Sequence, residues 1–232
     1  MTLMKVKSLV KSYPGVKALN GTDMEIESGR IVGLLGPNTS GKTTLLKILA
    51  GLLRQDSGEI VYPNNSQGVE ARNTVSFLPD SMLFPAWMSV KDAFGYYKDC
   101  FGDYCEKNAT RLSDILELPL NDKKSIRKLS KGMQERVALA LTFSRKVPLY
   151  LLDEPLGGID PVGKSKILET LLTAPPENSS ILISTHLVKD VENILDSVLM
   201  LSKGQIVYSG NCEEIRETKG KTVEQIYLEV FQ

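Results

Sequence analysis

The chain has 232 residues, 42% of them hydrophobic, which is enough to bury one sizeable core. Lys+Arg 28 balances Asp+Glu 28, so the net charge is zero and the basic surplus of a nucleic-acid binder is missing. Cys100, Cys105 and Cys212 form no disulfide framework and read as reduced thiols of a cytosolic protein; a metal site at Cys100 and Cys105 has no cysteine or histidine nearby to complete it. The N-terminal apolar residues are interrupted by Lys5 and Lys7, which does not fit a signal peptide. No run approaches the roughly 18 apolar residues that span a bilayer, so if the protein works at a membrane another chain does the spanning.

In chain order, residues 3–10 (LMKVKSLV) alternate apolar and polar and predict a strand. DMEIESG (23–29) does the same and ends in a turn. RIVGLLG (30–36) is a short apolar run closing on glycine, a buried strand. KTTLLKILAGLL (42–53) has helical periodicity with Gly51 near its end. GEIVY and TVSFLP are two further short strands. From residue 85 to 145 the patterns are helical. SVKDAFGYYKDCF opens with Ser89 and has Asp92 three residues on, a capping-box start. LSDILEL and SKGMQERVALALTFSRK also read as helices. Strands resume at PLYLLD (148–153), SILIST (180–185) and SVLMLSKGQIVYSG (197–210), with helices around 163–172 and 188–196. TVEQIYLEVFQ predicts a final amphipathic helix, packed on the core or serving as a partner contact. Alternating strand and helix predicts an α/β core with a mainly parallel sheet. A helical lobe of about 60 residues interrupts it. The division is one domain over 1–232, with a core lobe at about 1–80 and 146–232 and a helical subdomain at about 81–145.

Three stretches carry chemistry. GPNTSGKTT (36–44) matches G-x-x-x-x-G-K-[ST], the phosphate-binding loop, between an apolar strand and a helix. In such a loop, Gly36, Pro37, Asn38, Thr39, Ser40, Gly41 and Thr44 surround the phosphates at a helix N-terminus, all but Pro37 with a backbone N–H to offer. Lys42 reaches the terminal phosphates and the Thr43 hydroxyl ligates Mg2+. In LYLLDEP an apolar strand ends in two carboxylates: Asp153 is placed to hold the magnesium and Glu154 to polarise an attacking water. A pair of solvated loop acids is the plain alternative. LSKGMQERVALAL starts a helix at Ser130, a good cap, and Gly132 lets an anion approach the backbone. Alone this would be an ordinary capped helix. One ATP does not need two such loops from one subunit, so the two make sense if each serves a different nucleotide.

With these motifs in this order, the sequence resembles the ATP-binding subunit of an ABC transporter. Tyr13 ahead of GVKAL matches the aromatic that stacks on adenine, and GPNTSGKTT the Walker A loop. FLPD (77–80) matches the Q-loop, LSKGM the signature motif, LYLLDEP Walker B and GGID (157–160) the D-loop. STH ends in His186, the chain's only histidine, at the switch position. The resemblance implies a P-loop NTPase fold with an N-terminal antiparallel β portion and an inserted helical subdomain. It implies ATP and Mg2+ as cofactors and Asp80 and Asp153 as metal-side groups beside Thr43. Two cassettes, in a homodimer or heterodimer, would close face to face around ATP. Ser130 and Gly132 would then contact the γ-phosphate held by the partner, Asp160 would cross the interface, and His186 would orient the water with Glu154. Closure and opening would drive polytopic membrane subunits from the inner, cytoplasmic face of the membrane. Trp87, Phe84 and Met88 in LFPAWMSV (83–90) either meet the membrane subunit or pack the lobe's own core.

The match departs from the family at Thr39, where the loop usually has glycine, at Asp80, where glutamine is usual, and at Lys131 and Met133 within LSGGQ. Asp80 would retune the site with added negative charge, and Lys131 would point to solvent or towards the partner's phosphate. SKGM and GGIDP resemble the exporter-like branch, and no added regulatory domain of the importer type fits after residue 210. Other readings are a non-transport ABC ATPase acting on nucleic acid or ribosomes, and a weakly hydrolysing nucleotide-dependent regulator. The first usually carries coiled-coil insertions or tandem ATPase domains, which this chain lacks.

Overall fold

The computed structural model describes residues 1–81, 84–120 and 123–232. The described residues form two sheets, nine α-helices and two short 3-10 helices, joined by loops. β1 (Thr2–Tyr13), β2 (Val16–Glu27) and β4 (Ser57–Val61) form an antiparallel sheet in the order β2-β1-β4. The predicted strands at 3–10 and 23–29 are thus arms of one longer hairpin, turned at Gly15 with φ +77. β3 (Ile31–Leu35), β5 (Val75–Leu78), β6 (Leu149–Asp153), β7 (Ser180–Thr185), β8 (Ser197–Ser202) and β9 (Gln205–Asn211) form the second sheet, ordered β5-β6-β7-β3-β8-β9. All its pairs are parallel except β8–β9. The single run anticipated at 197–210 is that hairpin, because Lys203 and Gly204 both take positive φ and reverse the chain.

The central strands are apolar on both faces because both are covered. Val32, Leu34, Leu149, Leu151, Leu182 and Leu199 face the small sheet and α1 (Lys42–Leu49). Tyr150, Leu152, Ile181, Ile183, Val198 and Met200 face the remaining helical layer. α1 ends as a Schellman turn: Leu52 N–H donates to Lys47 O, Gly51 N–H donates to Ile48 O, and Gly51 sits at φ +69. A short helix not anticipated from sequence, α2 (Gly68–Asn73), precedes β5.

Between β5 and β6 lie α3 (Val90–Cys100), α4 (Glu106–Ile115) and α5 (Lys131–Phe143). Ser89 and Asp92 form the reciprocal capping box that starts α3. α5 runs from an exposed first turn into the core, where Val137 through Phe143 are buried against the sheet. These helices share one apolar cluster with that sheet face. α6 (Pro161–Thr173), α7 (Val188–Val191), α8 (Cys212–Lys219) and α9 (Val223–Phe231) complete the layer. The helix anticipated over 188–196 stops at 191, and the chain turns into β8 after buried Leu195 fills the space beside Gly33. α8, also unanticipated, is capped by Asn211.

Arg145 fastens the helical insertion to the sheet. Its guanidinium is 7% exposed, bonds both oxygens of Asp103 at 2.8 and 2.7 Å, donates to Val75 O at 2.9 Å and lies 4.1 Å from the Phe101 ring centre. Removing one member of a buried pair strands the other charge. Asp103→Ala is expected to lower stability by about 3 kcal/mol in urea unfolding.

Candidate active site

The C-terminal ends of β3, β7 and β6 lie side by side. Leu35 pairs with Thr185 and Asp153 pairs with Ser184. The loop after β3 therefore opens beside both acidic residues, at the edge where parallel sheets present their ligand sites. The loop's glycines are forced. A Cβ on Gly36 would lie 2.3 Å from Leu201 O, and one on Gly41, at φ +112, would lie 2.4 Å from Ala18 O. Gly204 N–H donates to Ser40 O, so the β8–β9 turn holds the loop from a third side. Thr39 sits at φ 71, a left-handed conformation costly for a β-branched residue. The glycine usual at that position would adopt it freely.

Around the loop is a cleft of about 380 Å3, lined by Asn38 through Thr44 together with Val16, Ala18, Asp80, Glu154, Gly157 and His186. Lys42 is 6% exposed and donates to Gly36 O at 2.8 Å and Pro37 O at 3.3 Å. Its ammonium is also 3.6 Å from Glu154 Oε1. Burial pushes the Lys42 ammonium below the usual lysine range, and the Glu154 charge opposes this. Glu154 follows β6 at φ 49. Its Oε2 accepts from the Thr185 hydroxyl at 3.1 Å and lies 3.0 Å from His186 Nδ1.

Asp153 is fully buried. The Ser184 hydroxyl donates to Oδ1 at 2.5 Å, while Oδ2 has no hydrogen-bond partner. Burial raises its pKa above the carboxylate norm; hydroxyls of Ser184 and Thr43 counter this, and the charges of Asp80 and Glu154 add to it. Among the described residues only three buried side-chain N or O atoms lack a partner, and two of them, Ser40 Oγ and Asp153 Oδ2, belong to this site. Such orphans mark places where a ligand completes the bonding. An orphan carboxylate oxygen near the Thr43 hydroxyl and Asp80 is a hard-oxygen donor set that fits Mg2+.

The other predicted site residues lie outside this cleft. Tyr13 is 44% exposed at the end of β1, paired with Val16, which does line the cleft. Ser130 caps α5 by accepting from Met133 N–H at 3.3 Å, and Gly132 faces open space. Asp160 caps α6, accepting from Val162 and Gly163 N–H at 3.0 Å each. Lys131, assigned to solvent or to a partner's phosphate from sequence, is exposed, and its ammonium would lie 2.7 Å from a Cβ built on Gly158 of its own chain. Phe84 and Met88 are 7% exposed core residues, whereas Trp87 is 70% exposed. Ser184, Thr185 and Glu135 escaped the sequence reading; the first two were visible only as the polar end of an apolar strand, and Glu135 looked like any helix-surface acid.

A phosphate loop at the strand ends, with a buried aspartate and a histidine-held glutamate beside it, defines a P-loop nucleoside triphosphatase. The sequence model of the ABC transporter family matches residues 19–157, and the chain belongs to that family, whose ATP-binding cassettes hydrolyse ATP to drive transport. It is 30% identical to the lantibiotic transport ATP-binding protein SrtF of Streptococcus pyogenes, over 92% of this chain and 95% of that one. It is 34% identical to the energy-coupling factor transporter ATP-binding protein EcfA of Methanosphaera stadtmanae, over 92% and 81%. A solved ATP-binding subunit of an ABC transporter superposes with a TM-score of 0.86 at 25% identity, covering 99% of this chain and all of that one. A dimeric cassette solved in a post-hydrolysis state with ADP and Pi shares the fold, with a TM-score of 0.78 at 22% identity over 90% and 98%. No described helix is long and apolar enough to cross a membrane.

Two expectations test the electrostatics. A carboxyl raised by burial contributes stability below its unfolded pKa and loses it as pH rises through the folded value. Ionising the buried Asp153 therefore destabilises the nucleotide-free chain. Asp153→Asn is expected to raise its melting temperature by about 2–4 °C, while cutting ATPase turnover at least ~100-fold; calorimetry and phosphate release read the two. Glu135 is pushed up to about 7, by burial first and then by repulsion from Asp80, with Lys131 opposing. The same sign applies, so its contribution fades as pH rises through about 7. Wild type is expected to lose about 2–4 °C of melting temperature relative to Glu135→Gln between about pH 6 and pH 8.

Proposed function

We propose that this cassette is the motor subunit of an exporter, closing on ATP against a second cassette and opening after hydrolysis to move separate membrane subunits. The observation that carries it is Glu154, held 3.0 Å from His186 and 3.6 Å from Lys42 at the phosphate-loop cleft. Lys42 is the group that changes partners. Two carbonyls and one carboxylate hold its desolvated ammonium, and a triphosphate offers it a stronger counter-charge. Once Lys42 turns to phosphate, Glu154 loses that ion pair and becomes the base for a water. His186 and Thr185 fix the same oxygen, Oε2, which leaves Oε1 to accept the proton.

Thr43 and Asp153 would hold Mg2+, with Asp80 alongside; the ion supplies charge neutralisation at the β- and γ-phosphates. Among the described residues no three His, Cys, Asp or Glu side chains converge on one ion, so phosphate and water oxygens would fill its remaining positions. Tyr13, beside Val16, would stack on the base.

Ser130 and Gly132 stand apart from the chain's own cleft at the N-terminus of the long helix α5. That favours their use on a nucleotide bound by the second cassette. Asp160, as the cap of α6, would set the shape of the loop that crosses the interface. The core lobe at 1–80 and 146–232 would carry the nucleotide, and the lobe at 81–145 the coupling to the membrane subunit. A groove of about 410 Å3 formed by Phe84, Pro85, Trp87, Met88, Ala93, Tyr96 and Tyr97 suits an apolar helix from that subunit. On this reading the chain works at the cytoplasmic face of the membrane. Export is supported by the SKGM signature and by the nearly end-to-end likeness to a lantibiotic transport protein.

Glu154→Gln is expected to bind ATP as wild type does, lose turnover about 1000-fold and accumulate as ATP-bound dimers on gel filtration. Unchanged turnover, or a variant that stays monomeric with ATP bound, would overturn the mechanism.

A further inference from the structure

We propose that Thr185 is a positioning residue for hydrolysis: its single hydroxyl orients Glu154 and anchors the turn that carries His186, so that base and histidine are set as one unit. The proposal rests on the role given to Glu154 above. Thr185 ends β7 and is 1% exposed. Pairing with Leu35 fixes its backbone, and its β-branched side chain has few rotamers. Its Oγ1 makes two hydrogen bonds. It accepts from Leu187 N–H at 2.9 Å and donates to Glu154 Oε2 at 3.1 Å. A hydroxyl has one hydrogen and an ionised carboxylate has none, so the Thr185 hydrogen points at Glu154. The same carboxylate oxygen lies 3.0 Å from His186 Nδ1, which therefore carries a hydrogen too. Nε2 is then the imidazole nitrogen left for a ligand in the cleft that His186 lines.

Burial decides which of the two donors is the fixed reference. The His186 side chain is 43% exposed, so water competes for its bond to Glu154. Thr185 is sealed from water, where a hydrogen bond to a charge is stronger. Glu154 stands at φ 49, and a strained backbone of this kind persists only where its surroundings over-determine it. On the histidine side, Leu187 caps α7 without a side-chain bond, and its N–H goes to Thr185 instead. Farther along, Lys164 holds Asp190 at 2.6 Å and Arg216 holds the Glu192 carbonyl at 2.6 Å. The residue just past His186 is thus anchored by the hydroxyl that also holds the base. Ser184 repeats the pattern one residue earlier, donating to Asp153 Oδ1 and accepting from Glu154 N–H at 3.3 Å. Neighbouring strand residues point to opposite faces, so the polar end of β7 assigns one hydroxyl to each carboxylate that follows along β6.

Thr185→Val removes the hydroxyl and keeps the branched shape. It is expected to lower kcat about 30-fold with KM for ATP held within about twofold, and Thr185→Ser to keep kcat within about threefold of wild type. In a Glu154→Gln background, where no base is left to orient, Thr185→Val is expected to change the residual rate at most about threefold. Amide hydrogen exchange at Leu187, read without nucleotide, is expected to speed about tenfold in Thr185→Val and at most about twofold in Thr185→Ser. An equal loss in both backgrounds, or a Thr185→Ser variant as slow as Thr185→Val, would overturn the proposal, because strand packing would then account for the loss. Unchanged exchange at Leu187 in Thr185→Val would overturn it as well. A raised KM with unchanged kcat would mean that Thr185 serves nucleotide binding instead, and also overturns it. A wild-type chain without ATPase activity would sink the functional reading, while the exchange at Leu187 still decides the anchor.

Discussion

The in-register parallel pairing of β6, β7 and β3 is the constraint on which the site depends. Leu35 opposite Thr185 and Asp153 opposite Ser184 bring three chain-distant segments to one edge. A one-residue slip would turn Asp153 to the other face of the sheet and break its bond from Ser184. These strands are apolar on both faces, so a polar-apolar alternation does not specify their register. The two cores specify it by shape. Gly33 admits Leu195, and Tyr150 reaches Arg145 O with its hydroxyl. The helical layer that fills those shapes is therefore also what aligns the catalytic ends.

The site built on that alignment concentrates charge where water is scarce. Lys42 and Asp153 are both buried, and desolvation shifts each against its charged form. Ser40 Oγ and Asp153 Oδ2 are left without partners, and Thr39 and Glu154 hold positive φ. Each feature costs stability, and all lie within a few residues of the phosphate loop or the strand end beside it. A polyanion and a divalent cation would neutralise the charges and fill the open hydrogen bonds. Folding energy from the two apolar cores thus maintains a strained, under-bonded pocket, the usual trade of stability for function.

The same geometry separates residues that complete the chain's own cleft from residues that cannot reach it. Glu154, His186, Lys42 and Asp80 converge on the cleft, whereas Ser130, Gly132 and Asp160 do not line it and instead stand at the starts of α5 and α6. Arg145 plays a mechanical part for the insertion, joining Asp103 and Phe101 to β5.

Much of this was legible in the linear sequence. Motifs such as GPNTSGKTT and LYLLDEP declare themselves because the backbone demands particular residues at fixed short spacings: glycine where Leu201 O and Ala18 O come within contact distance, lysine at the helix start, acids at a strand end. The strand and helix order, the capping box at Ser89 and the likeness to ABC cassettes followed from the same local patterns. Missing from them were α2, α8, the true length of the first hairpin and the fate of individual exposed-looking side chains. Glu135 carried no signal of its own, Ser184 and Thr185 read as a strand end, and Phe84, Trp87 and Met88 as equivalent. Their roles differ because each is decided by groups far along the chain, as Asp153 decides that of Ser184. The sequence by itself determined the chemistry available to this protein, since that chemistry is written in contiguous motifs. Only the tertiary structure decided which groups are buried and which carboxylate oxygen is left unpaired. Those outcomes depend on packing distances, and no spacing along the chain encodes a distance between residues that meet only when the sheet has closed.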